Sequence, residues 1–183
     1  MIRTYKELRE CISYEKKLYN ISLFDIITRN QMVYNWKYIK RLRYCEYYRN
    51  SKNKLLLPLF LICRIRKNAL GKNIGVEIGE NCCGKGLLIY HNGSIVINGN
   101  ARIGENLRLH GNNCIGNLGE KSLGCPTIGN NVSFGVGAIA IGEITIGDNV
   151  KIGANATCVK NCKKNNVTLV GTPAKVISER LIK

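Results

Sequence analysis

An apolar residue recurs at every sixth position through the second half of this 183-residue chain. The series runs Ile97, Ile103, Leu109 and Ile115, breaks once, and resumes as Ile128, Phe134, Ala140, Ile146, Ile152 and Cys158. With 45% of the chain apolar, ten such hits in a row arise by chance roughly 0.03% of the time, before about a tenfold discount for choosing the phase. Four residues after these positions stand mostly small or β-branched side chains: Ala101, Leu107, Asn113, Val132, Ala138, Ile144, Val150, Ala156 and Cys162. The position just after the apolar one is glycine six times, at Gly104, Gly116, Gly129, Gly135, Gly147 and Gly153.

A step of apolar, Gly, two free positions, small, free describes one short strand and one sharp corner. The apolar residue points into a narrow prism and the small one fits the corner. Glycine is expected there for the backbone angles of the bend. Three steps close one triangular coil, and stacked coils share a core. Ordinary sandwich strands alternate with period two and do not demand glycine every sixth residue. The fold class expected is therefore mainly β, a parallel β-helix of hexapeptide repeats. Ile115 to Ile128 is thirteen residues, where one skipped step needs twelve. Residues 116–126 are therefore expected as a loop ejected from the coil, and loops on rigid scaffolds often carry function.

Residues 1–71 lack the sixfold period and read as an N-terminal α-helical segment. Thr4 followed by Glu7 forms a capping-box pattern. Ser22 can cap a second helix, whose apolar residues Ile26, Met32, Val33, Trp36, Ile39 and Leu42 fall largely at steps of three and four. A polar break at 50–54 precedes a third helix over 55–70, with Pro58 in its first turn and Gly71 as its terminator. The domains expected are the helical segment 1–71, the β-helix 72–162 and a C-terminal tail 163–183.

Charge and cysteine bound the class of protein. Lys plus Arg is 28 and Asp plus Glu is 12, a net charge of +16. Residues 1–70 hold 16 of the basic and 5 of the acidic side chains. Such an excess favours anionic partners without choosing among phosphorylated ligands, nucleic acid and membrane surfaces. The apolar content excludes a disordered chain, and the longest apolar run, residues 55–63, is far below the ~20 residues that span a bilayer. Nine cysteines show no zinc-site spacing. Residues 1–20 hold no apolar export segment. The expectation is a cytoplasmic protein with reduced, mostly buried thiols and no metal.

Residues 72–178 resemble the hexapeptide-repeat acyltransferases, and more narrowly the serine acetyltransferase family and its relatives in polysaccharide gene clusters. The likeness is carried by Gly84-Lys-Gly-Leu-Leu-Ile-Tyr-His91, by Ile95-Val-Ile-Asn-Gly-Asn-Ala-Arg-Ile103, and by Gly171-Thr-Pro-Ala-Lys175. The resemblance implies a left-handed parallel β-helix, a homotrimer that can pair into a dimer of trimers, acetyl-CoA as donor, and a site between subunits. It also implies that His91 is the catalytic base and that Glu77 orients it. Glu77 stands in place of the usual Asp and one residue closer to the histidine. Acyl transfer from a thioester to a hydroxyl does need a base, and an imidazole suits the task. Counting back by sixes from Ile97 nevertheless puts His91 and Lys85 on inward positions, so the first coil is expected to be irregular. His110, the other histidine, follows an inward Leu109 and is expected to point outward.

The same resemblance implies a wall for the donor at Gly137, Ala138, Gly153 and Ala154. Lys175, with Lys163 and Lys164, would lie near its phosphates; plain solvated lysines are the other reading. Where the family places Arg-His-Pro after the ejected loop, this chain has Gly124-Cys125-Pro126, and the acidic residue before the main histidine is Tyr90. A zwitterionic amino acid would lose two charge-assisted contacts of about 1.5–3 kcal/mol each, whereas a saccharide would lose nothing, and Tyr90 could stack on its ring. The expected function is acetyl-CoA-dependent O-acetylation of a hydroxyl, on a saccharide of a surface polysaccharide. The alternatives are a serine O-acetyltransferase, and a non-catalytic scaffold whose basic arm binds nucleic acid or lies on a membrane through residues 55–70 with Arg64, Arg66 and Lys67.

Overall fold

The computed structural model of the protein describes residues 1–119 and 123–179. Residues 120–122 of the ejected loop and 180–183 of the tail lie outside them. Four α-helices come first: α1 (Tyr5–Tyr19), α2 (Leu23–Ile27), α3 (Gln31–Asn50) and α4 (Leu57–Ile74). Short strands follow: β1 (Val76–Ile78), β2 (Leu88–Ile89), β3 (Ile95–Ile97), β4 (Arg102–Ile103), β5 (Arg108–Leu109), β6 (Cys114–Gly116) and β7 (Thr127–Ile128). The series continues with β8 (Ser133–Phe134), β9 (Ile139–Ile141), β10 (Thr145–Ile146), β11 (Lys151–Ile152), β12 (Thr157–Cys158), β13 (Val167–Val170) and β14 (Lys175–Glu179).

Successive strands visit three sheets in rotation. Sheet order is β1-β3-β6-β9-β12 on one face, β4-β7-β10 on the second, and β2-β5-β8-β11-β13-β14 on the third. Every pairing is parallel except β13 with β14. This is a three-sided parallel β-helix. All ten residues of the sixfold series are buried, from Ile97 to Cys158. They form the axial core with Ala101, Leu107, Val132, Ala138, Val150 and Ala156 from the corners.

The glycines have a different cause from the one expected. None of the six takes a positive φ. A Cβ on Gly104 would sit 2.5 Å from Asn130 Oδ1 and 2.8 Å from the Gly129 carbonyl carbon, so glycine lets neighbouring coils approach. The left-handed corner positions are held by asparagines, among them Asn106, Asn131, Asn149 and Asn166 with φ between 57° and 60°, and by glycines outside the six, such as Gly86, Gly137 and Gly142. Asparagine tolerates that region better than other residues with a Cβ. Their side-chain amides form a ladder along one edge: Asn106 donates to Asn131, Asn131 to Asn149 and Asn149 to Asn166, each at 2.9 Å.

The helical segment closes the open end of the coil stack. Thr4 caps α1 in a reciprocal box with Glu7. Ser22 caps only the short α2; Arg29 adopts φ 54°, and Asn30 caps α3 afresh. The single second helix expected is therefore two. Gly71 does not end the third expected helix: it is buried inside α4, where a Cβ would meet the Tyr38 ring at 3.0 Å. Gly75, at φ 69°, is the terminator. The coil likewise runs beyond residue 162, because β13 continues the third sheet and β14 folds back on it.

The first coil has no coil above it, so its backbone groups need other partners. Side chains from the helices supply them. The Tyr38 and Tyr19 hydroxyls accept from the Ile78 and Ile89 N–H groups at 2.9 and 3.0 Å. Glu15 accepts from Gly86 and Leu87 N–H at 3.0 and 3.1 Å. Arg43 donates to the Cys83 and Gly84 carbonyls at 3.0 and 2.6 Å, while pairing with Glu15 at 2.7 Å and Glu46 at 2.9 Å. Lys67 turns inward to the Ile78 carbonyl and to Glu80, at 3.0 and 2.9 Å. It is therefore no part of the outward basic face expected on residues 55–70. The segment 55–70 does carry exposed Leu55, Leu57, Leu59, Leu61, Ile62 and Ile65 beside exposed Arg64 and Arg66. No helix among the described residues is long and apolar enough to cross a membrane.

Candidate functional site

Of the residues singled out in the sequence, His91, His110, Gly137, Gly153 and Ala154 stand along one edge of the prism, the corner between the third sheet and the first, whereas Glu77 and Ala138 do not, and Lys163 and Lys164 follow a different corner. In the first coil this corner holds His91, Asn92 and Gly93; in the next it holds His110, Gly111 and Asn112. Gly137 N–H donates to the Gly111 carbonyl at 2.9 Å, and Asn155 N–H to the Val136 carbonyl at 2.8 Å. Thr172 Oγ1 then donates to the Asn155 carbonyl at 3.2 Å. With strands spaced about 4.8 Å, four steps separate the His91 corner from that of Thr172, a run of about 19 Å.

His91 stands outside the core because the coil is enlarged there. The inward residue is Ile89, paired with Leu109, and the partner of Ile115 on the first sheet is Ile97, eight positions on from Ile89 where Ile115 is six on from Leu109. The two additional residues fall at the corner, and His91 is exposed on it. Lys85 is exposed for the same reason of register: Cys83 takes the inward place, bridging to Ile103. This resolves the irregularity expected in the first coil.

The nearest polar partner of His91 is one the sequence did not reveal. Gln31 Nε2, in the first turn of α3, lies 3.0 Å from His91 Nδ1, and Gln31 Oε1 accepts from the Asn92 N–H at 3.5 Å. One turn along α3, the buried Asn35 donates to the Ile89 carbonyl at 3.2 Å. Asn35 Oδ1 and Asn92 Oδ1 are buried without a hydrogen-bond partner. Running one helix through residues 22–42 hid Gln31; reading Asn30 as a helix cap would have placed it at a helix start.

Glu77 points outward from β1, on the face beyond the Gly93 corner. It lines a depression of about 380 Å³ with Tyr38, Lys72, Ser94 and Val96. The structure joins His91 to Gln31 by a hydrogen bond and gives none between His91 and Glu77. A larger groove of about 550 Å³ lies along a different edge, between the N-terminus and Gly84, Lys85 and Glu105, and contains neither histidine.

His110 points outward, as expected, and is half-buried. Its ring stacks on Tyr90 with centroids 4.5 Å apart and planes 16° apart, and Nε2 lies 3.3 Å from Ser133 Oγ. Burial, then the charges of His91 and Arg108, hold its imidazole below the usual histidine range. Tyr90 thus already stacks on a ring within the chain, which takes the place expected for a sugar on that face.

Farther along the edge, Gly137 (φ 71°) and Gly153 are half-buried and Ala154 is exposed. Ala138 is fully buried. Its N–H donates to the Gly135 carbonyl, and its carbonyl accepts from Cys114 N–H and Asn113 Nδ2, so it faces the core rather than the edge. Lys175 is exposed at the start of β14. Among the described residues no cluster of His, Cys, Asp or Glu could hold a metal ion, and all nine cysteines are free.

No protein-family model and no curated protein matches the chain in sequence. Solved structures do match in fold. Serine acetyltransferase from Neisseria gonorrhoeae is 23% identical with a TM-score of 0.73, over 98% of this chain and 70% of that one. Serine acetyltransferase from Brucella abortus strain S19, in complex with coenzyme A, is 22% identical with a TM-score of 0.71, over 96% and 68%. Soybean serine acetyltransferase complexed with serine is 21% identical with a TM-score of 0.68, over 93% and 69%. What this chain shares with them is the fold, helical segment included.

Proposed function

We propose that this protein is an acetyl-CoA-dependent O-acetyltransferase that acts on a hydroxyl acceptor. The observation that carries the reading is the exposed imidazole of His91 at the head of an edge lined farther down by Gly137, Gly153 and Ala154. An extended pantetheine arm can lie along about 19 Å of such an edge, with Lys175 near the phosphates and the thioester toward His91. Similar folds solved with coenzyme A and with serine support this reading. In the reaction, the acceptor oxygen attacks the thioester carbonyl while His91 Nε2 takes the hydroxyl proton. The tetrahedral intermediate then expels the CoA thiolate, which takes that proton back from the imidazolium.

The winding is left-handed and the working unit is a trimer on this reading, with the edge facing a groove between subunits. The exposed Leu118 and Leu123 of the ejected loop, 64% and 77% accessible in the single chain, suit a loop that reaches across to a neighbour. The acceptor we favour is a saccharide, because the two positions that would meet the charges of an amino acid hold Tyr90 and Gly124-Cys125. Serine is the second reading, favoured by the solved serine complex of similar fold. Thiol release from acetyl-CoA, followed with L-serine and with a panel of sugars and sugar nucleotides, tests both. Release with sugars and not serine supports the saccharide, release with serine alone supports the second reading, and release with neither class defeats the proposal.

A further inference from the structure

We propose that Gln31 positions His91 as a base, its amide oxygen receiving the Nδ1 proton so that Nε2 keeps a free lone pair. The inference rests on reading His91 as the base, and it deepens that site. An imidazole can take a proton at Nε2 only if its own proton sits on Nδ1, and that proton needs an acceptor. The partner within hydrogen-bonding distance of Nδ1 is Gln31, at 3.0 Å.

The two ends of a primary amide are nearly alike in size, so Gln31 fits either way round. With the nitrogen toward Nδ1, the proton is forced onto Nε2 and the ring cannot act as a base there. That orientation is supported on its other side only by the 3.5 Å contact from Asn92 N–H to Oε1, long for a hydrogen bond. Meanwhile Asn35 Oδ1, one turn along α3, and Asn92 Oδ1, beside His91, are buried acceptors without a donor. Turning the amide gives up only the long contact from the Asn92 N–H and lets Oε1 accept Nδ1–H at the 3.0 Å separation, and it is the form in which Nε2 is free to act as a base. It also needs no further motion in the reaction, because the imidazolium keeps the same Nδ1–H···Oε1 bond.

A neutral amide differs from a carboxylate in a testable way. It selects the tautomer without adding a charge that would favour the imidazolium. The charged or titratable groups around the corner are His110 on the next coil, with Arg108 beyond it, and Glu77 and Lys72 on the far side. Asp25 of α2 is held by Ser22 and Asn30.

The test is long-range ¹H–¹⁵N correlation of the imidazoles in the full-length protein, alongside turnover. The chain has two histidines, so the signals missing in His91→Asn assign His91. The parent is expected to show neutral His91 as the Nδ1–H tautomer. Gln31→Ala should give a mixture of tautomers. Gln31→Glu should keep the Nδ1–H form and let the ring hold its second proton to higher pH, by about 1 pH unit. In turnover, Gln31→Ala should lower kcat roughly 10- to 100-fold, the scale for losing a partner that orients an imidazole, with KM for acetyl-CoA unchanged. Gln31→Glu should restore most of it, with the acid limb of the rate profile moved up in pH. Gln31 is half-exposed, so an unchanged melting temperature is expected for both variants. An Nε2–H tautomer in the parent, or a tautomer and titration indifferent to both substitutions, overturns the proposal. A Gln31-dependent tautomer in a protein that transfers no acetyl group upholds the positioning and defeats the acyltransfer reading instead.

Discussion

Two residue types divide the work at the corners of this coil, and each is there for a separate reason. At Gly104, Gly129, Gly135, Gly147 and Gly153 glycine follows the inward residue because the next coil lies against it; Gly116 has room for a Cβ. Gly104→Ala would drive a methyl into Asn130 and Gly129, and backbone cannot yield as a flexible side chain can. A loss of about 1–3 kcal/mol, typical of overpacking, should appear as a lower midpoint in urea. Asparagine supplies the left-handed bend and a rung of the ladder. Asn131→Ala gives up both the favourable backbone conformation at φ 57° and the bonds to Asn106 and Asn149. It should cost more than Asn131→Gly, which keeps the bend and loses only the rungs; paired denaturation curves give the order directly.

At the scale of elements, the helical segment acts as the lid of the coil stack. An unpaired end of a sheet exposes backbone donors and acceptors, and here Tyr19, Tyr38, Glu15, Arg43, Glu46 and Lys67 satisfy those of the first coil. Glu80 ties this lid down from the coil side. Burial works to raise its carboxyl, but the hydrogen bond and charge of Lys67, with Arg64 beyond, outweigh that and hold it below the usual carboxylate range. A carboxyl lowered in the folded state contributes stability above its unfolded value, about 4.3, and loses it as pH falls through the folded value. Stability should therefore decline on acidification below about pH 4. Glu80→Gln should be less stable at pH 7 and show a shallower decline, measured as midpoints at pH 7, 5 and 3.

How much of this was legible follows from where the information resides. The sixfold series reports burial in a repeated geometry, so it located the core and most coils directly. The reason for the glycines was not legible, since approach between coils and strain at a bend leave the same letter in the sequence. The first coil reads in the sequence as irregular but not as to how, because its period is broken by the two additional residues that lift His91 clear. The helix starts at Thr4 and Ser22 were readable because caps are local, whereas the break before Asn30 was masked by a continuing apolar pattern. Gln31 and the lid contacts lie 60 and up to 72 residues from their partners, and no local pattern reports pairing over that separation.

For the whole molecule, one edge of the prism brings together His91, His110, Gly137, Gly153 and Ala154, and the proposed chemistry needs that edge to face a second subunit. Sedimentation equilibrium should therefore give three times the 20.5 kDa chain mass, or six times if trimers pair. The most direct check of the central claim is acetyl transfer by His91→Ala beside calorimetric binding of CoA. Turnover should fall by about 10²- to 10⁴-fold, the share that general acid–base catalysis contributes, while CoA binds as tightly as to the parent. Turnover equal to the parent's, with CoA still bound, would contradict the assignment of His91 as the base.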